Sequence, residues 1–399
     1  MKTILLVFNS ARPDSYSYFS KDDKNEYFII YRNRPDKEIR LPSFIKKELF
    51  WSDYWTASFL IRAIKPDTIV FVEIYDIKQI ALNIVAKRKG IKTIFLDHGM
   101  YNNVSSALFR DKEASARIRK EKLRKLSNIP IILQNYFFYF HSIYSVSFRN
   151  VFEFLAFPFS AFIISSYRAL HLLPFSEKKP KRFLLFCKNN FEYIKYSYHC
   201  EQNEVVYTGM PEFDKFFSDH DVNDKYIFID HPYLEEKMLG WNHEHHEKVA
   251  FSIYDLCRSR NIKFFVKLHP SSDKTLWENY GFDSKYIEIL QSGDFVDIYR
   301  AAKLVIGFSS TLMVGFISAR KNVVLIGWHP EPRIVANDLS SYGVCHQSLN
   351  INELKSKFDY WIKNNLALIN KEKYNIFIDR FNCPFDGKAA ERVLKGVIE

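Results

Sequence analysis

Short apolar runs separated by polar, helix-spaced stretches recur along most of the chain. Residues 3–8 (TILLVF) read as a buried strand, and residues 67–72 (DTIVFV) as a second, entered through Pro66-Asp67. Residues 76–89 carry apolar side chains at helical spacing, and residues 93–96 form a third strand that stops at Asp97-His98-Gly99. The rhythm resumes after residue 183, with strands predicted at 205–207, 226–229, 262–268, 304–306 and 323–326 and helices over 243–260 and 295–302. Strands alternating with helices predict α/β architecture with parallel, doubly wound sheets.

Residues 110–182 break that rhythm. Residues 110–125 hold eight Lys or Arg against three acids. Residues 129–175 are rich in Phe, Tyr, Ile and Leu, with charge only at Arg149, Glu153 and Arg168, and EKKPKR follows. A membrane span needs about 20 predominantly apolar residues. Residues 126–148 are long enough but carry Asn, Gln, His and Ser, and residues 154–167 are too short and contain Pro158. Two readings stay open: buried helices of the first domain, or an interfacial surface whose basic flanks face anionic lipid.

A chain of 399 residues exceeds what one core usually holds, so two domains are expected, over 1–203 and 204–399. The net charge of +11 calls for an anionic partner. Zinc-finger spacing and an aromatic RNA-binding signature are absent from the sequence, so the reading is no nucleic acid. Five scattered cysteines without a CxxC read as reduced thiols of a cytoplasmic protein. The apolar run of MKTILLVFNSARPDS is too short for a secretory leader and reads as the first strand.

The candidate chemistry sits at predicted strand ends. In KLVIGFSST, Gly307 breaks a strand and Ser309, Ser310 and Thr311 open a helix. Hydroxyls and free N–H groups at a helix N-terminus suit a phosphate. In Lys267-Leu268-His269-Pro270, a basic residue and an imidazole end a strand that proline stops. Asp97-His98-Gly99 offers an acid and an imidazole for general base work, and spacing does not choose between Asp97 and His98. Asp230-His231-Pro232 and Trp328-His329-Pro330 are further strand-end candidates, through Asp230, His231 and His329. The stretch NHEHHE (242–247) is not HExxH and reads as a solvated helix start. No strand end carries a DxD pair, so no essential metal is expected. Walker A, GxGxxG and GxSxG are all missing from the sequence.

Taken in order, YTGMPEFD (207–214), IFIDHP (227–232), KLHP (267–270), AAKLVIGFSST (301–311) and DGKAAERV (386–393) resemble the bacterial GT-B-fold glycosyltransferases of surface-polysaccharide synthesis. That group spans capsule transferases, sialyl- and polysialyltransferases and teichoic-acid glycerophosphotransferases. The resemblance covers roughly residues 205–395, and FLDHG (95–99) extends it weakly into the first domain. It implies two Rossmann-like domains with parallel sheets facing a cleft, plus an aromatic-rich helical insertion in the N-terminal domain. The C-terminal domain would hold a nucleotide-activated donor, CMP- or CDP-linked before UDP-linked. His269, Ser309 and Ser310 would contact the donor phosphate, with Lys267, Pro270, Thr311 and Gly209 beside them. Asp97 or His98 would be the base. The group's sialyltransferase-like members carry two acids before that Gly, whereas this chain has Asp-His-Gly, closer to the teichoic-acid type.

The implied activity is metal-independent sugar transfer to a cell-surface polysaccharide or lipopolysaccharide acceptor, free or lipid-linked. No cofactor beyond the donor is implied. The expected location is cytoplasmic, peripheral on the inner face of the cytoplasmic membrane if residues 129–175 form a surface. Three alternatives stand beside it: a glycerol- or ribitol-phosphate transferase, a nucleotide-sugar epimerase using Asp97, Asp230 and Glu331, and a non-catalytic scaffold of glycan assembly.

Overall fold

The computed structural model describes residues 1–8, 13–31, 43–72, 74, 76–99, 129–144, 151, 178–217, 224–291, 293, 295–331 and 339–399. The chain divides into two compact units, Met1–Glu212 with Lys388–Glu399, and Phe213–Gly387. Each is built on one wholly parallel sheet. The basic run 110–125 and most of the aromatic segment lie outside the described residues.

The first unit has seven strands: β1 (Thr3–Val7), β2 (Glu26–Tyr31), β3 (Ile45–Phe50), β4 (Thr68–Phe71), β5 (Lys92–Leu96), β6 (Arg182–Leu185) and β7 (Val205–Tyr207). Their spatial order is β3-β2-β1-β4-β5-β6-β7. The winding reverses between β1 and β4, as in doubly wound nucleotide-binding folds. Residues 4–7 and 94–96 are almost wholly buried, which explains their unbroken apolar runs: a parallel strand is covered on both faces.

Helix α1 spans Ala57–Ile64 and α2 spans Ile77–Arg88. Every residue of α2 from Ile77 to Ala86 is buried, Lys78, Gln79 and Asn83 included. The cover on its outer side is α3, Ile129–Ile143, the described part of the aromatic segment. Phe138, Tyr139 and Ile143 join the core, with Phe138 edge-on to Trp51 at 5.6 Å. Ser142 Oγ accepts the Ala57 N–H at 2.8 Å, tying α3 to the start of α1. Leu133, Phe137 and Tyr144 are exposed on the other side. This stretch is therefore a core-covering helix with a second, open apolar face. Among the described residues no helix is long and apolar enough to cross a membrane.

The domain boundary differs from the sequence expectation of 203/204. Strand β7 pairs with β6 in the first sheet, and the terminal helix Ala389–Ile398 returns to the first unit. Packing explains the return. A Cβ at Gly396 would lie 2.8 Å from Leu184, so glycine lets the helix close onto β6. Lys92 Nζ donates to Gly396 O at 2.9 Å, and Lys2 Nζ donates to Ile398 O.

The second unit carries β8 (Lys225–Ile229), β9 (Phe264–Lys267), β10 (Ile287–Leu290), β11 (Ala302–Gly307), β12 (Val323–Ile326) and β13 (His346–Ser348), in the order β10-β9-β8-β11-β12-β13. The winding reverses between β8 and β11. Helices α4 (Phe191–Tyr198, in the first unit), α5 (His243–Arg260), α6 (Thr311–Ser318) and α7 (Ile351–Lys363) complete the elements used below. The core of the second unit is strongly aromatic, with Phe228, Trp241, Trp277, Phe308, Phe358 and Trp361 in one cluster.

Candidate active site

In the second unit, three adjacent strands end in the predicted polar residues. Strand β8 runs into Asp230-His231-Pro232 and lies between β9, which runs into His269-Pro270, and β11, which runs into Ser309-Ser310. This is the carboxyl edge at the reversal of strand order, where open α/β sheets bind ligands. Gly307 has a specific reason to be glycine. A Cβ there would lie 2.7 Å from the Ile229 carbonyl oxygen of the neighbouring strand.

Ser310 is the N-cap of α6, but its side chain makes no cap hydrogen bond. Its Oγ is buried and has no hydrogen-bond partner among the described residues. An N-cap serine usually satisfies an N–H of the first turn. Here the hydroxyl is left for something else. Thr311 opens the helix, half-buried beside it.

His269 is half-buried, with Nδ1 accepting the Ser271 N–H at 3.2 Å and lying 2.6 Å from Ser271 Oγ. A backbone N–H only donates, so the neutral ring carries its proton on Nε2, a donor suited to an anion. The His231 ring stacks on Tyr233 at 4.3 Å and on His269 at 5.7 Å. His329 Nδ1 accepts the Trp241 indole N–H at 3.0 Å, which fixes the same tautomer, and its ring leans on Phe308 and Tyr233. Lys267 is engaged by the fold: Nζ donates to Leu268 O at 2.6 Å and Gln291 O at 3.1 Å. Pro270 is exposed.

Asp230 is almost fully buried. Its Oδ1 accepts the His231 N–H at 2.9 Å, and Oδ2 accepts the Trp277 indole N–H at 2.8 Å with His246 Nε2 at 3.7 Å. His246 Nδ1 pairs with Tyr280 OH at 2.8 Å. The solvated reading of NHEHHE therefore holds for the exposed His243 but not for His246, which is buried, nor for His245, whose Nε2 lies 2.6 Å from Trp328 O. Helix periodicity turns these two rings inward, and charge-rich spelling concealed it.

In the first unit, β5 runs into Asp97-His98-Gly99. Asp97 is 1 % exposed, whereas His98 is exposed. Asp97 Oδ1 accepts the His98 N–H at 3.1 Å. Its Oδ2 accepts the Phe186 N–H at 3.0 Å and the Asn190 amide at 2.5 Å. Burial pushes the Asp97 carboxyl up to about 6, against the pull of these donors. Tyr18, also buried, has its hydroxyl held well above the ordinary range by burial and by the charges of Glu212 and Asp97. Gly99 is not forced to be glycine by space, since a Cβ there would meet nothing within 4 Å. Gly209, at φ +75, does occupy the left-handed region and lies in the first unit, not in the second. Asn190, Trp277 and His246 are the residues that motif reading missed. Only Asn190 had a signal, as part of an Asn-Asn pair directly after an apolar strand.

Among solved structures, the wall teichoic acid polymerase TagF matches with a TM-score of 0.57 at 12% identity, over 99% of this chain and 88% of that one. The Methanocaldococcus jannaschii UDP-GlcNAc 2-epimerase, in complex with UDP-GlcNAc and UDP, matches at 0.51 and 12%, over 99% of both chains. A putative UDP-N-acetylglucosamine 2-epimerase from Listeria monocytogenes matches at 0.51 and 12%, over 99% of this chain and 95% of that one. This chain has the GT-B fold. Its two α/β units with wholly parallel sheets are those the sequence resemblance implied. No protein-family profile and no curated protein sequence matches the chain.

Proposed function

We propose that the chain is a metal-independent glycosyltransferase that moves a sugar from a nucleotide-activated donor, CMP- or CDP-linked before UDP-linked, onto a cell-surface polysaccharide or lipopolysaccharide acceptor. The observation that carries the reading is Ser310: a buried hydroxyl at a helix N-terminus, without a partner among the described residues and one strand removed from the Asp230-His231 turn. The second unit binds the donor phosphates through Ser309, Ser310, the α6 N–H groups and His269 Nε2–H. His98 accepts the proton of an acceptor hydroxyl. The hydroxyl oxygen then bonds to the anomeric carbon as the carbon–oxygen bond to the phosphate breaks. The nucleotide departs with the electron pair, and donors aimed at its phosphate lower the barrier by roughly 3–4 kcal/mol each where well placed.

Asp97 has too many donors on it, and too little exposure, to meet an acceptor, so the base role falls to His98. A polyol-phosphate transfer is the second reading, favoured by histidine in place of a second acid before Gly99. It would use the same groups with phosphorus as the centre attacked. The epimerase reading is less well supplied, because Asp97 and Asp230 are both buried under protein donors. Attachment to the anionic inner face of the cytoplasmic membrane belongs to the same proposal, supported by the basic run 110–125 and the exposed Leu133, Phe137 and Tyr144.

Thermal shift with CMP, CDP, UDP and GDP tests the donor side. A ligand at 100 times its Kd stabilises by about 2.7 kcal/mol. His269→Ala should lower both nucleotide affinity and transfer; unchanged values for both would remove the reading.

A further inference from the structure

Asn190 stands at the N-cap of α4, yet its side chain caps no helix N–H. It is wholly buried, and its amide turns toward the end of β5 instead. The same Nδ2 donates to Asp97 Oδ2 at 2.5 Å and to Gly99 O at 2.7 Å. These two acceptors bracket His98. The backbone N–H of His98 is bound in turn by Asp97 Oδ1 at 3.1 Å. One amide therefore ties down both sides of the three-residue turn that carries the exposed imidazole.

We propose that Asn190 is the positioning residue for His98, holding the Asp97–Gly99 turn in the one conformation from which the imidazole meets an acceptor hydroxyl. The proposal rests on the reading of His98 as the base. Carboxylate chemistry makes it specific. The three donors on Asp97, from Phe186, His98 and Asn190, are all N–H groups, so only the ionised carboxylate satisfies them all. A protonated Asp97 would turn an O–H against one of those donors. Among the described residues, the titratable groups that act on Asp97 or feel its charge are His98, next in the chain, and Tyr18 from the segment Pro13–Lys21. The Asn190 amide favours the ionised form against burial. Its removal shifts Asp97 toward the protonated form and frees the Gly99 carbonyl together.

The test pairs a pH profile with a substrate-free readout. In Asn190→Ala, kcat should fall on the order of 10²-fold, as for a misplaced catalytic group. Donor KM should hold, and the acid limb of kcat/KM should move to higher pH. Asn190→Asp keeps the shape but sets a carboxylate against Asp97. Such a pair shares one proton, so activity should survive only at the acid end and vanish as pH rises, the reverse of the parent. A residue that merely filled space would make the alanine variant the worse of the two and leave both profiles in place, which would overturn the proposal. Asn190→Ser, with one donor, should lie between.

Selective histidine labelling follows the His98 ring by NMR in the resting protein, with His98→Gln to assign it. Loss of ionised Asp97 should lower its titration midpoint in Asn190→Ala. An unmoved midpoint sinks the clamp even if transfer is found. A shifted midpoint in a chain whose transfer survives His98→Gln keeps the clamp and removes the base reading instead.

Discussion

At the end of β5, Asp97 Oδ1 accepts the His98 N–H at 3.1 Å; at the end of β8, Asp230 Oδ1 accepts the His231 N–H at 2.9 Å. In both units a buried aspartate caps the residue that follows it. The outer oxygens then part company. Asp97 Oδ2 is held by a backbone N–H and an amide that also binds Gly99, whereas Asp230 Oδ2 is held by an indole with an imidazole behind it. The histidines part company as well. His98 is exposed, while His231 is stacked between Tyr233 and His269. The same aspartate-to-histidine N–H contact thus sits beside an exposed imidazole in one unit and a stacked one in the other. Under the proposed function, the base His98 must reach its substrate and change protonation state, whereas a ring on the donor side must stay where it is.

The largest effect should come from exchanging that assignment. His98→Gln is expected to lower transfer by about 10²–10⁴-fold, the usual worth of a general base, with nucleotide affinity intact. His231→Gln should do the opposite, weakening nucleotide affinity more than turnover. Isothermal titration with the nucleotide, set beside kcat, separates the two. Equal losses in both quantities for both variants would dissolve the distinction.

Next in size is a stability contrast at two glycines beside these turns. Gly307→Ala forces a Cβ to 2.7 Å from the Ile229 carbonyl, a backbone atom that cannot rotate away. Denaturant unfolding should show a loss of about 2–3 kcal/mol. Gly99→Ala meets open space and should lie within about 0.5 kcal/mol of the parent.

Those glycines mark where sequence was readable. The break at Gly307 and the strands around it were legible because buried parallel strands read as unbroken apolar runs. Strand β3, IKKELF, was not, since its two lysines and glutamate hide an element exposed along one side. The first-unit boundary was missed because β7 is a three-residue strand and the terminal helix reaches its sheet by long-range packing that no local pattern spells. At the site, Ser310 and His269 were legible as residue types at strand ends. The proposed division of labour between Asp97 and His98 was not. It depends on Asn190 and Phe186, more than 80 residues further along.

The first turn also sets a pH dependence. Burial raises Asp97 from the ordinary 3.8 to about 6. A carboxyl with a raised folded value binds its proton more tightly folded than unfolded. Its contribution to stability is fully present below about pH 4 and fades as pH rises through about 6. The ionised form that the proposed clamp requires is thus the less stable one, and activity should rise across the window in which stability falls. Urea unfolding from pH 4 to 7, repeated in Asp97→Asn, should show that slope in the parent and its loss in the variant. A slope that survives in Asp97→Asn would assign it to other groups.

The smallest expected effect lies at the second turn. Trp277→Phe keeps a smaller aromatic ring in the site but deletes the indole N–H that Asp230 Oδ2 accepts at 2.8 Å. The carboxylate keeps the His231 N–H, and His246 Nε2, 3.7 Å away, can close on the vacated oxygen. The lost hydrogen bond should cost about 1 kcal/mol, well under the cost of stranding a buried charge, with the cavity left by the smaller ring added to it. Because His231 is also held by its stacking on Tyr233 and His269, nucleotide affinity should change less than twofold. The matching change at the first turn, Asn190→Ala, has no such reserve, since the same amide carries both bonds that flank His98. If Trp277→Phe proved as damaging to function as Asn190→Ala, the two turns would be equivalent, and the exposure of His98 would not be what separates a base from a ring on the donor side.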